Sequence, residues 1–156
     1  MQNIETIDKL LKDELSATET YQQALDKFRE EGETAESENL MPIYEDHEEA
    51  VSTLQTQIRQ LGATPSEDSG AWGSWAKIVQ GGANMMGKHA TLKALQEGER
   101  TGVEDYEEAL QDPELPTDVR SLIETRLLPC PTIAYPHSGS AFGCGGLGFL
   151  VLTCSV

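Results

Sequence analysis

Three long stretches of this chain repeat their apolar residues every three to four positions, which confines it to packed helices. The first helix is predicted from Asn3, an N-cap residue type, to Arg29 or Glu30, with the inner stripe Ile4, Ile7, Leu11, Glu14, Thr18, Tyr21, Leu25 and Phe28. The second is predicted from near Asn39 to Gly62, with Leu40, Ile43, His47, Val51 (or Ala50), Leu54, Ile58 and Leu61 facing inward. Pro42 then falls in its first turn, where the missing N–H has no helical partner anyway. The third is predicted from about Met85 to Gln111, on the stripe Met85, His89, Leu92, Gln96, Glu99, Val103, Tyr106 and Leu110, and Asp112-Pro113 stops it. A fourth begins near Pro116, places Val119, Leu122, Ile123 and Leu127 on one face, and halts at Pro129. No stretch alternates convincingly with period two. The expectation is an all-α four-helix bundle.

Residues 63–84 form a long second connection, with a short apolar run from Trp72 to Val79 closed by Gly81-Gly82. A linker of about 20 residues can extend roughly 66 Å, whereas a helix of about 22 residues is roughly 33 Å long. The linker can therefore cross the length of the bundle, and helix three can run parallel to helix two. Trp72 and Trp75 are expected to pin this crossover onto the helices. Met85-Met86 reads as the end of the core rather than a haem ligand.

Two of the inner stripes carry a carboxylate. Set ELSATETYQQAL (14–25) against ERTGVEDYEEAL (99–110): at an offset of 85, Glu14 matches Glu99, Glu19 matches Glu104, Tyr21 matches Tyr106, and Ala24-Leu25 matches Ala109-Leu110. Leu10 also matches Leu95. Such self-similarity suggests two helix hairpins related by a pseudo-two-fold axis, with helices one and three antiparallel and the two Glu at similar depth. Core carboxylates at one depth repel each other and lose hydration, so something must compensate: a metal pair, protons, or a buried histidine.

These segments resemble the ferritin-like superfamily. LLKDELSATETY is similar to the first-helix pattern of bacterioferritin-type proteins, and GERTGVEDYEEAL to their third helix. Residues 4–128 resemble more closely a small bacterial ferritin-like family known only as a domain of unknown function. The QLGATP turn, GAWGSW, the GER before Tyr106 and LPTDVRSLIE carry that likeness. The resemblance implies an iron or manganese pair held by one Glu from each of two helices and a Glu-x-x-His from each of the other two. Glu14 and Glu99 match the single-Glu roles. The rest departs from the pattern: Tyr44 stands three before His47, and Leu127 three after Glu124. The candidate metal set is Glu14, His47 and Glu99, with Tyr21 and Tyr106 beside it. The alternative is structural: the carboxylates are hydrogen-bonded to Tyr21, Tyr106 or His47, and a Glu14–His47 pair holds the imidazole protonated. His89 lies about 15 Å along the helix from Glu99 and cannot share that site.

Residues 127–156 contain none of the chain's 38 charged residues, and the span 129–156 is rich in Gly and Pro. Pro129, Pro131, Pro136 and the glycines from 139 to 148 forbid a full-length fourth helix. The expected organisation is a bundle over 1–128 and an irregular tail over 129–156. Three readings of the tail stay open. One is a shifted reading frame, since Cys-Pro-Thr codons read one base later can give Ala-Gln-Gln. The second is a tail that caps the bundle or docks on a partner. The third is a metal or redox tail using Cys130, His137, Cys144 and Cys154, whose spacings fit no familiar zinc pattern.

A net charge of −16 argues against nucleic acid and anionic membrane as partners. MQNIETIDKLLKDEL lacks a basic segment followed by an apolar one, so it does not read as a secretory signal, and a cytoplasmic location is the expectation. The functional expectation is association, as a dimer or larger homo-oligomer, around an incomplete di-metal site. The alternative is an iron- or manganese-binding protein that stores metal or oxidises Fe(II).

Overall fold

The computed structural model describes residues 2–69 and 87–128, and the described chain is helical with no strand. Helix α1 spans Gln2–Glu31 and α2 spans Thr34–Gln60. Helix α3 spans Lys88–Leu110, and α4 spans Thr117–Leu122 and continues as a π-helical turn over Ile123–Leu127. Trp72, Trp75, Met85, Met86, Cys130, His137, Cys144 and Cys154 lie outside the described residues, as does the whole span 129–156.

Glycine ends the first two helices by the same device. Gly32 and Gly62 have φ of 77° and 81°, which a residue without Cβ adopts freely. The N–H after each returns to a carbonyl in the last turn of its helix, Glu33 to Phe28 at 2.8 Å and Ala63 to Ile58 at 3.1 Å. The first of these turns is so tight that α2 begins at Thr34, five residues before the predicted start at Asn39. Pro42 therefore sits inside α2. It is tolerated because Pro42 and Glu38, whose carbonyl loses its helical donor, both face solvent. Asn3 is likewise inside α1 rather than its cap.

Lys9 meets Asp105 at 2.6 Å and Thr6 donates to Asp112 at 3.4 Å, while Tyr21 reaches Glu99. Rising numbers on α1 meet falling numbers on α3, so the two are antiparallel. The short Gly32 turn makes α1 and α2 antiparallel as well, so α2 and α3 point the same way. Lys88 at the start of α3 accordingly pairs with Glu33 and Glu36 at the start of α2, at 3.1 and 2.8 Å. After Gly62 the chain turns back along α1: Ser66 bonds Asp8 and Ser69 bonds Glu19.

The core has two apolar parts. One joins Ile7 and Leu11 of α1 to Leu54 and Ile58 of α2, Ala109 of α3, and Val119 and Ile123 of α4. The other joins Leu25 and Phe28 to Leu40, Ile43, Leu92 and Leu95. The predicted stripe of α1 is buried from Ile7 to Phe28 except at Thr18, which is half-buried while Ser16 and Thr20 are buried. On α2, Ala50 is buried rather than Val51, and Leu61 is exposed. On α3 the stripe is rotated: His89, Gln96 and Val103 are exposed, and Thr91, Leu95 and Ala109 are buried. The reason is that α3 packs chiefly on α1, so the narrow face around Leu95, Glu99 and Tyr106 is the one turned inward. Arg120 of α4 ties the end of α3, donating to the carbonyls of Leu110 and Asp112 at 2.5 and 2.7 Å.

A candidate functional site in the polar layer of the core

Between the two apolar parts lies a layer of five polar side chains. His47 sits at its centre, with Nδ1 2.7 Å from Glu14 Oε2 and Nε2 2.9 Å from Glu99 Oε1. The Tyr21 hydroxyl donates to Glu99 at 2.7 Å, and the Tyr106 hydroxyl donates to Glu14 at 2.5 Å. Each tyrosine thus caps the glutamate of the other repeat, as two antiparallel copies of Glu-x6-Tyr at one depth require. The sequence pairing at an offset of 85 is a two-fold relation in space, with His47 near its axis. His47 breaks the symmetry, since it comes from α2 alone.

The layer is largely shielded from water: side-chain exposure is 9 % for Glu14, 15 % for His47 and 27 % for Glu99. Burial by itself would strip the imidazole of its proton, but hydrogen bonds to Glu14 and Glu99 outweigh it and push His47 up to about 10. Burial also works against ionisation of Glu99, yet the bonds from His47 and Tyr21 hold it below the ordinary carboxylate range. Burial and the neighbouring Glu99 push the Tyr21 phenol up, so it stays a donor. With both ring nitrogens facing carboxylate oxygens, the imidazolium form lets each nitrogen donate. The His47 and Tyr21 rings lie 5.0 Å apart, within the range of a cation–π contact.

Glu14, His47, Glu99, Tyr21 and Tyr106 were all marked by sequence as site residues, and the structure brings all five together. Asp13 and Asp105 were not, because neither lies on an inner stripe. Asp13 Oδ2 is buried without a hydrogen-bond partner among the described residues. Burial, with Asp105 and Glu14 adding repulsion against the opposing Lys9, pushes Asp13 up to about 7. The only signal in sequence was its place next to Glu14.

A di-metal centre of the kind the resemblance implies needs four carboxylates and two histidines. Two carboxylates and one histidine converge here, and while His47 bridges them it offers a metal no lone pair. Among the described residues no group of three or more His, Cys, Asp or Glu side chains is arranged to hold a metal ion. The donors do not fit the metal pair. What they hold well is a protonated imidazole, with one N–H to each carboxylate.

A cleft of about 120 Å³ runs beside this layer, between α1, α2 and α3. Leu10, Asp13, Ala17, Ile43, Asp46, Leu95, Gly98, Gly102 and Val103 contribute to its walls, as do Leu127 and Leu128. No described helix is long and apolar enough to cross a membrane.

A family model described as a domain of unknown function (DUF2383) matches residues 2–112, which include α1, α2, α3 and every residue of the polar layer. No curated protein matches the chain, and neither does any solved structure. Because the match spans well over half of its 156 residues, this chain belongs to the DUF2383 family, a domain of unknown function.

Proposed function

We propose that this chain is a ferritin-like four-helix bundle, with its second connection crossing the bundle, in which a protonated histidine stands where a metal pair would compensate the core carboxylates. It acts by association, as a dimer or larger homo-oligomer, rather than by catalysis. The observation that carries this reading is the double engagement of His47, whose two ring nitrogens meet Glu14 and Glu99 at 2.7 and 2.9 Å. An imidazolium there neutralises one of two buried negative charges and leaves every strong donor in the layer with an acceptor. A cytoplasmic location belongs to the same proposal.

Native mass spectrometry of the full chain, with and without Fe(II) or Mn(II), tests it. The expected result is an oligomer mass unchanged by metal. Stoichiometric iron or manganese that is retained by the parent and lost in both Glu14→Gln and Glu99→Gln would overturn the reading in favour of a metal-binding protein. A strictly monomeric mass at micromolar concentration would overturn the homo-oligomer.

A further inference from the structure

Helix α1 packs far more closely on α2 than on α3. Leu54 and Ile58 of α2 share one apolar part of the core with Ile7 and Leu11, and Leu40 and Ile43 share the other with Leu25 and Phe28. Both parts therefore have a nucleus inside the α1–α2 hairpin. Helices α3 and α4 add Leu92 and Leu95 to one part and Ala109, Val119 and Ile123 to the other. Between these anchors, none of residues 96–105 is buried. That stretch of α3 is attached by polar bonds, from Glu99 to His47 and Tyr21 and from Asp105 to Lys9. It also carries Gly98 and Gly102, where a Cβ would meet nothing within 4 Å, and the cleft lies along it.

The seam between α3 and the α1–α2 hairpin is therefore the interface that yields first. Apolar contact has no substitute in water, whereas groups released from a polar bond are rehydrated and recover part of its value. At the start of α3, Lys88 pairs with Glu33 and Glu36, where water screens the charges. Two glycines inside α3 weaken that helix further relative to alanine. Opening also leaves His47 partly compensated. It keeps Glu14, which belongs to the same hairpin, and gives up only Glu99.

We propose that the bundle opens along this seam, with α3 leaving the α1–α2 hairpin as a unit at a lower free energy than global unfolding. Arg120, bonded to the carbonyls of Leu110 and Asp112, carries α4 with it. The polar layer is the latch, and α3 is the lid over it. The open form presents Tyr21, Glu14 and His47 to water, while Glu99 and Tyr106 depart with α3. A detached helix of 23 residues with two internal glycines does not keep its hydrogen bonds in water, so each opening exposes the α3 amides to exchange.

Hydrogen exchange of the full chain at pH 7, read by mass spectrometry over a series of low urea concentrations, tests this. The α3 amides are expected to exchange through an opening about tenfold or more frequent than the one that releases the slowest α1 and α2 amides. The α3 opening should depend on urea, but less steeply than the α1–α2 opening, because it exposes less surface. Ile58→Val, a small loss inside the first hairpin, should speed α1 and α2 exchange severalfold and α3 exchange much less. Equal protection with equal urea dependence in all three helices would mean a single cooperative unit and overturn the inference. So would α3 exchange that ignores urea, which is local fraying, or an Ile58→Val variant that speeds all three helices equally.

Discussion

Replacing His47 with Gln tests the polar layer most directly, because its effect has a pH signature that no packing change shares. Folding raises the His47 pKa from 6.5 to about 10. A group whose folded pKa is raised contributes stability that is complete below its unfolded pKa and is lost as pH rises through the folded one. That window runs from about pH 6.5 to about pH 10. At about 1.4 kcal/mol per decade the whole contribution is about 5 kcal/mol, of which about 2 to 3 kcal/mol should disappear between pH 7 and pH 9. The assay is urea denaturation of the parent and His47→Gln at half-unit steps of pH. The Gln variant should be less stable by roughly 3 to 5 kcal/mol at pH 6.5, because two buried carboxylates lose their counter-charge. The gap should close steadily toward pH 10. Taking the difference between the two proteins cancels the titrating groups that do not touch His47. Parallel curves, with a constant gap from pH 6.5 to 9, would show a neutral histidine and refute the imidazolium bridge.

Three further outcomes are expected. Tyr106→Phe and Tyr21→Phe should each lose about 1.5 to 3 kcal/mol in urea melts, the range for hydrogen bonds to charged groups, and Tyr106→Phe combined with Glu14→Gln should be less than additive. Asp13→Asn should stabilise the protein at pH 8. The Asp13 carboxyl is raised by folding from 3.8 to about 7, so its penalty is present at high pH, diminishes below about pH 7 and is gone below about pH 4. Allowing for its partial exposure, the gain is roughly 1 to 2 kcal/mol, and it should fade in melts taken toward pH 4. Gly32→Ala and Gly62→Ala should each cost about 1 to 2 kcal/mol. The new methyl meets nothing at either site, so the loss is that of the left-handed backbone alone, and Gly98→Ala serves as the unstrained control.

The layer was legible in sequence because it uses the same periodicity as the core. Glu14 and Glu99 interrupt apolar stripes, and a tyrosine seven residues after each repeats the interruption. His47 was legible for the same reason. The turn at Gly62 was readable from a glycine closing a periodic run, and the break after the first helix from EEGETAE, but that polar, stripe-free stretch did not show how tight the turn at Gly32 is. That stretch also concealed the true start of α2, since a helix that packs one residue in several over its first turns shows almost no period. The inner face of α3 was misread for a related reason: its small residues, Gly98 and Gly102, carry no hydrophobic signal although they face the cleft.

Sequence alone determined that the chain is helical, where most of its helices stop, and that two matched carboxylates enter its core. These are local consequences of residue spacing and backbone conformation. Only the tertiary structure decided what compensates those carboxylates. The crossed Tyr21–Glu99 and Tyr106–Glu14 bonds, and the placing of one imidazole between both acids, depend on the antiparallel depth at which α1 and α3 meet. No spacing along one helix encodes that depth. Packing of side chains from separate helices sets it.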